Sequence, residues 1–110
     1  MEEREAIKKI LILSPEEIHK CSKKHGWWEG GERNFGELMA LVHSEISEAF
    51  EAYRKDVPYS ERHSVPEELA DTVIRIFDIA YHYQIDIASE IMNKHLINLK
   101  RAYRHGGKKC

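Results

Sequence analysis

At 110 residues, with 42% hydrophobic and 33% charged side chains, the chain is long enough for one domain with a core of its own and too short for two. A net charge of −2 supplies no field to draw it onto nucleic acid or an anionic membrane. No stretch approaches the roughly 20 apolar residues of a membrane span, and "MEEREAIKK" lacks the apolar run of a secretion signal. Cys21 and Cys110, far apart, make no disulfide framework. A reducing cytoplasm is the expected setting, with neither membrane nor nucleic acid as partner.

Residues 1–13 read as an extension ahead of a domain at 14–110. Their "AIKKILIL" fits a helical stripe about as well as a short edge strand. Four helices follow, at about 15–25, 35–55, 65–84 and 87–104. The first three open on strong signals. Ser14 caps "SPEE", with Pro15 at the first helical position and Glu17 closing a capping box. Asn34 with Glu37 and Ser64 with Glu67 repeat the pattern, and Asp86 is a softer fourth cap. "HGWWEGGER" breaks the first helix and "DVPYSERH" the second, while "HGG" ends the last. With no other strand signal, repeat or low-complexity segment, the predicted fold is all-α. Helix two should bury Leu38, Leu41, Val42, Ile46, Ala49 and Tyr53. Helix three carries a wide apolar arc of Leu69, Ala70, Val73, Ile74, Ile76, Phe77, Ala80 and Tyr81. That width predicts burial on two sides, the second side being another subunit.

Two acidic pairs interrupt this pattern. Glu45 falls between Leu38 and Leu41 around helix two, and Glu48 lies at the edge of the same stripe. Glu68 and Asp71, also three apart, flank the arc of helix three, with Arg75 one turn on as an i,i+4 partner for Asp71. A short connection makes the two helices antiparallel neighbours, so all four carboxylates reach similar heights on facing surfaces. Half-buried, such a cluster repels itself and is costly to desolvate. A divalent cation removes that cost, and oxygen-only ligands favour Mg²⁺ or Mn²⁺ over zinc. Taken singly, Glu-x-x-Glu is more often a solvated helix face. Two pairs at matched heights, one intruding on an apolar stripe, favour the metal. A carboxylate-bridged di-iron bundle would need Glu-x-x-His on two helices; the chain has one such string, Glu16 to His19, away from the cluster.

The arrangement resembles the MazG-type all-α nucleoside triphosphate pyrophosphohydrolases, whose mark is Glu-x-x-Glu on one helix and Glu-x-x-Asp on the next. Here these read "EISE" at 45–48 and "ELAD" at 68–71, with nineteen residues between the pairs. "RNFGELMALVHSEISEAFEAYR", "EELADTVIRIFDIA", "NKHLINLKR" and "HGGKK", in that order, look like one MazG-like branch of bacteria and phages. The likeness covers about residues 22–109. One departure is Arg101-Ala102, where that branch often has Arg-Pro. The resemblance implies a four-helix bundle completed as a homodimer or homotetramer. It also implies Mg²⁺-dependent cleavage of a ribo- or deoxyribonucleoside triphosphate to the monophosphate and pyrophosphate, extending to non-standard nucleotides. By the same likeness Glu45, Glu48, Glu68 and Asp71 are the metal and catalytic residues, with water as nucleophile. A non-catalytic helical module that binds metal or nucleotide for regulation is the rival reading.

Helix four places Lys94, Asn98 and Arg101 on one stripe, and the family's last helix offers such residues to the phosphates. The bland alternative is a helix end carrying cations for its dipole. An exposed Trp28 could stack on a nucleobase, though a tryptophan in such a loop more commonly packs in a core or subunit contact. "HGGKK" either wraps onto the nucleotide or simply ends the helix. His43 projects to another side and is left out of the site.

Overall fold

The structure, a computed structural model, describes residues 13–101. Expectations for residues 1–12, for the "HGGKK" tail, for Arg-Ala at 101–102 beyond Arg101 and for Cys110 lie outside the described residues. Within them the chain is all-helical: α1 (Pro15–Lys24), α2 (Phe35–Arg54), α3 (Val65–His82) and α4 (Ile87–Leu99), with no strand among the described residues.

The caps explain where the helices begin. Ser14 Oγ accepts from Glu17 N–H (3.2 Å), Asn34 Oδ1 from Glu37 N–H (3.0 Å) and Asp86 Oδ1 from Ser89 N–H (3.1 Å). Each such cap contributes about 1 kcal/mol. Ser64 departs from the pattern. Its side chain makes no capping bond, and Glu67 instead accepts from the backbone N–H of His63 (3.2 Å).

Three helices end in Schellman motifs, in which N–H groups beyond the helix satisfy its last carbonyls. Trp27 N–H reaches Ser22 O and Gly26 N–H reaches Lys23 O after α1. Val57 to Ala52 and Asp56 to Tyr53 close α2, and Ile85 to Ala80 and Gln84 to Tyr81 close α3. The pivots Gly26, Asp56 and Gln84 have φ of 84°, 55° and 59°. α3 therefore stops at His82, two residues before the expected 84. α4 stops at Leu99 rather than 104, because tightened bonds from Lys100 N–H to Ile97 O and Arg101 N–H to Asn98 O turn the chain.

Among the described elements α3 is central, packed against α1 and α2 and more sparsely against α4. Contacts between Glu45 and Arg75 and between Glu48 and Glu68 run in opposite chain senses, so α2 and α3 are antiparallel. The core is small: Ile18, Leu38, Ala49, Ala52, Ile79 and Ala80. Leu38 is wholly enclosed at 0% exposure.

Two expectations about faces are corrected. On α2, Ile46 and Tyr53 are exposed, Leu41 and Val42 are half-buried, and Ala52 is buried in their stead. Small alanines let α2 approach α3 closely, which rotates the larger residues outward. On α3 the buried row is Ser64, Glu68, Thr72, Asp78, Ile79 and Ala80. Leu69, Val73, Ile74, Ile76 and Tyr81 stand exposed, Phe77 is half-buried, and Ala70 is exposed. The inward row is polar because it meets α1 and the acidic site; the apolar arc faces away from both. No residue of α4 is buried.

Candidate metal centre

Antiparallel packing of α2 on α3 brings Glu45, Glu48 and Glu68 together, with one carboxylate oxygen from each lying within 4.8 Å of the others. Their settings differ. Glu48 is exposed, Glu45 is half-buried, and Glu68, at 2% exposure, is among the most enclosed side chains described. Glu68 is enclosed because it sits one turn after Ser64 and one turn before Thr72 on the inward row of α3. Thr72 Oγ1 donates to the Glu68 carbonyl at 2.8 Å, locking that turn. His63 Nδ1 lies 3.2 Å from Glu68 Oε1 and donates to it in the Nδ1–H tautomer or as imidazolium. Glu68 Oε2 is buried without a hydrogen-bond partner. An enclosed carboxylate oxygen without a donor costs about 1–3 kcal/mol, more if charged. Three convergent carboxylates, one presenting a desolvated orphan oxygen, are a donor set that fits a hard divalent cation such as Mg²⁺ or Mn²⁺.

Asp71 stands outside that group of three. Burial pushes its carboxyl above the ordinary range; Glu45 and Glu67 add to the shift, Arg75 opposes it, and Glu48 adds a little more. Glu45 and Glu48 are thus its electrostatic neighbours although no oxygen of Asp71 joins the cluster. Arg75 does not turn back to Asp71 as its i,i+4 spacing suggests. It crosses to α2, where Nη2 donates to Glu45 Oε1 at 3.3 Å.

The loop after α1 supplies a support that spacing alone does not reveal. The Arg75 guanidinium lies 3.8 Å from the centre of the Trp27 ring, and Arg33 lies 4.3 Å from the same ring. Arg33 Nη1 also donates to the Trp27 carbonyl at 3.0 Å. Beside the cluster, Glu48, Glu51, Lys55, His63 and Glu68 border a cleft of about 350 Å³. His63 and Lys55 belong to the loop and helix end next to it. Their only sequence signal is position, within a few residues of the helix-two and helix-three termini.

The other expected contacts lie elsewhere. Lys94 and Asn98 share an open groove of about 440 Å³ whose described lining comes from α4, and among the described residues neither has a hydrogen bond or ion pair to Glu45, Glu48, Glu68 or Asp71. Arg101 follows the end of α4, exposed. Trp28 donates its Nε1–H to Asp78 (3.1 Å to Oδ1, 3.3 Å to Oδ2) and stacks on His82 with centroids 3.8 Å apart. Its N–H and one face are committed inside the protomer. Asp78, at 2% exposure, also meets His19 Nδ1 at 2.7 Å, so α1, the tryptophan loop and α3 are tied through one enclosed carboxylate. That tie borders a cleft of about 580 Å³ between Ser14, Glu16, His19, Tyr81, His82 and Asp86. Ten residues of helix separate Tyr81 from Asp71, about 15 Å, so this cleft is remote from the carboxylates. His43 is exposed and outside the cluster.

Among the described residues no helix is long and apolar enough to cross a membrane. No protein-family model, curated protein or solved structure matches the chain.

Proposed function

We propose that the chain is a divalent-cation-dependent pyrophosphohydrolase that cleaves nucleoside triphosphates, ribo- or deoxyribo-, to the monophosphate and pyrophosphate. One observation carries the reading: Glu45 and Glu48 converge on Glu68, whose enclosed Oε2 has no donor of its own. The likeness of "EISE" and "ELAD" to the MazG-type motifs supplies the reaction class.

When bound, Mg²⁺ supplies charge neutralisation at the phosphate oxygens and a lowered pKa for attacking water. The residues divide the remaining work by setting. Glu68 is confined by its burial and meets His63 Nδ1 through Oε1, while Thr72 Oγ1 donates to its backbone carbonyl. Glu45 is oriented by Arg75. Glu48 stands at the solvent edge beside the cleft through which a triphosphate would approach. Asp71, three residues after Glu68 and electrostatically coupled to Glu45 and Glu48, completes the acidic set beside the three. Lys55, on the cleft rim, offers a cation to a phosphate. Lys94, Asn98 and Arg101 can serve the phosphates of a site on a second copy, as part of a homodimer or homotetramer. The bare apolar arc of α3 and the wholly unburied α4 support that assembly.

The test is a panel of nucleoside triphosphates with Mg²⁺, assayed for pyrophosphate and monophosphate. Wild type releases both from at least one nucleotide. Glu45→Gln, which keeps shape and removes charge, lowers the rate at least on the order of a hundredfold with its helical circular dichroism intact. Cation and nucleotide binding without pyrophosphate release would make the chain a regulatory binding module instead.

A further inference from the structure

Arg75 is the cation that reaches across from α3 to a member of the acidic cluster on α2. Arg75 is a quarter exposed, and its guanidinium has two neighbours that fix it from different directions. Through Nη2 it donates to Glu45 Oε1 at 3.3 Å, and its Cζ lies over the Trp27 ring, 3.8 Å from the ring centre. Its Nε is buried and unpartnered, and Asp71 is a further charged neighbour, felt electrostatically. Trp27 is itself anchored at both ends of its backbone. Its N–H donates to Ser22 O (3.1 Å), and its carbonyl accepts from Arg33 Nη1 (3.0 Å). The indole N–H is buried without a partner, so the ring acts here through its face and not through its polar edge.

We propose, resting on the cation-site reading above, that Trp27 and Arg75 are positioning residues for the metal centre: the indole face fixes the Arg75 guanidinium, which in turn fixes the Glu45 carboxylate at its place beside Glu48 and Glu68. Glu45 projects from the half-buried side of α2 and has no other hydrogen bond among the described residues. Without the guanidinium its carboxylate can leave the cluster toward solvent. Guanidinium on an indole face is among the stronger cation–π arrangements, and its planar stacking is what a lysine cannot reproduce. Partners one shell out from a metal ligand commonly change metal affinity by tenfold or more when removed.

Charge and orientation predict opposite signs, which makes the idea testable. Arg75 is a like charge to an incoming cation, so its electrostatic effect alone is to weaken binding. Trp27→Leu leaves every charge of the site in place and removes only the stacking face. The measurement is Mn²⁺ affinity of the nucleotide-free protein by isothermal titration calorimetry, checked by the electron paramagnetic resonance of free Mn²⁺. Trp27→Leu weakens Mn²⁺ binding on the order of tenfold, and Trp27→Phe, which keeps a ring face and loses no hydrogen bond, restores most of it. Arg75→Lys keeps the charge and loses the plane, and weakens binding to a similar degree. That second variant carries the test if Trp27→Leu does not fold. Wild-type affinity in both Trp27→Leu and Arg75→Lys overturns the positioning role while leaving the cation site standing. Failure of the wild type to bind Mn²⁺ at all overturns the cation site and this role with it.

Discussion

Burial and three neighbouring carboxylates, Glu45, Glu67 and Glu48, make Asp71 hold its proton more tightly in the folded chain than in the unfolded one. The sign of the consequence follows from linkage. Where the folded state binds more protons, stability falls as pH rises, so Asp71 favours the fold while protonated and opposes it once ionised. Asp71→Asn, neutral at every pH, should therefore raise the melting temperature of the cation-free protein at pH 7. The gain should shrink as pH drops through the raised pKa and vanish below about pH 3, under the ordinary aspartate value. Thermal melts of both proteins in a chelator, across pH 3 to 8, check it; a constant offset at all pH would remove Asp71's charge as the cause. Three members of the acidic set were legible as a cluster because helix spacing fixes which side chains share a face. The enclosure of Glu68 was not, because it depends on which flank of α3 the chain buries. That choice is made by tertiary contacts with α1 and α2. Arg75 shows the same limit: its spacing permits Asp71, and a partner on another helix won.

At the scale of elements, starts were legible and stops less so. An N-cap is a side-chain property, visible as Ser, Asn or Asp, whereas a Schellman stop is a backbone conformation. Gly26 advertises it; Asp56 and Gln84 adopt it against preference, at φ of 55° and 59°. A left-handed conformation costs a non-glycine residue roughly 1–2 kcal/mol, and glycine's own extra chain entropy costs about 0.5–1 kcal/mol. The difference favours glycine at position 84, whose side chain is exposed. Gln84→Gly should raise unfolding free energy by up to about 1 kcal/mol, read as a higher urea midpoint at unchanged slope. A lower midpoint would mean that the glutamine side chain makes a contribution its exposure hides. The hinge matters to the site only indirectly, since it sets the direction in which α4 leaves α3.

For the whole molecule, the difficulty is that the apolar residues outnumber the places the protomer offers them. Among the described residues six hydrophobic side chains form the buried core, while Leu69, Val73 and Ile76 line up on α3 at i, i+4 and i+7 in the open. Val73 is 48% exposed and Ile74 43%. α4 adds Ile91, Met92, Leu96, Ile97 and Leu99, all exposed. Monomers rarely leave contiguous apolar patches larger than a few hundred Å² uncovered. Ending at a polar inward row and an apolar outward one, α3 is built like the middle of a larger bundle. The width of its arc in the sequence predicts burial on two sides, and the described residues cover only one of them. Self-association through this face is the assembly we propose. In sedimentation velocity at micromolar concentration the protein should run at two or four times its 12.9 kDa protomer mass. Val73→Glu places a charge where the protomer is open, so the fold of one copy tolerates it while the contact between copies does not. That variant should shift to the protomer mass with its helical spectrum kept. If the assembly also brings Lys94 to a neighbouring copy's carboxylates, the same variant should lose pyrophosphohydrolase activity in step with its dissociation, although its own acidic residues are untouched. A wild-type protein that sediments at 12.9 kDa across the range would leave the outward face of α3 without its second layer, and Lys94 without a site to serve.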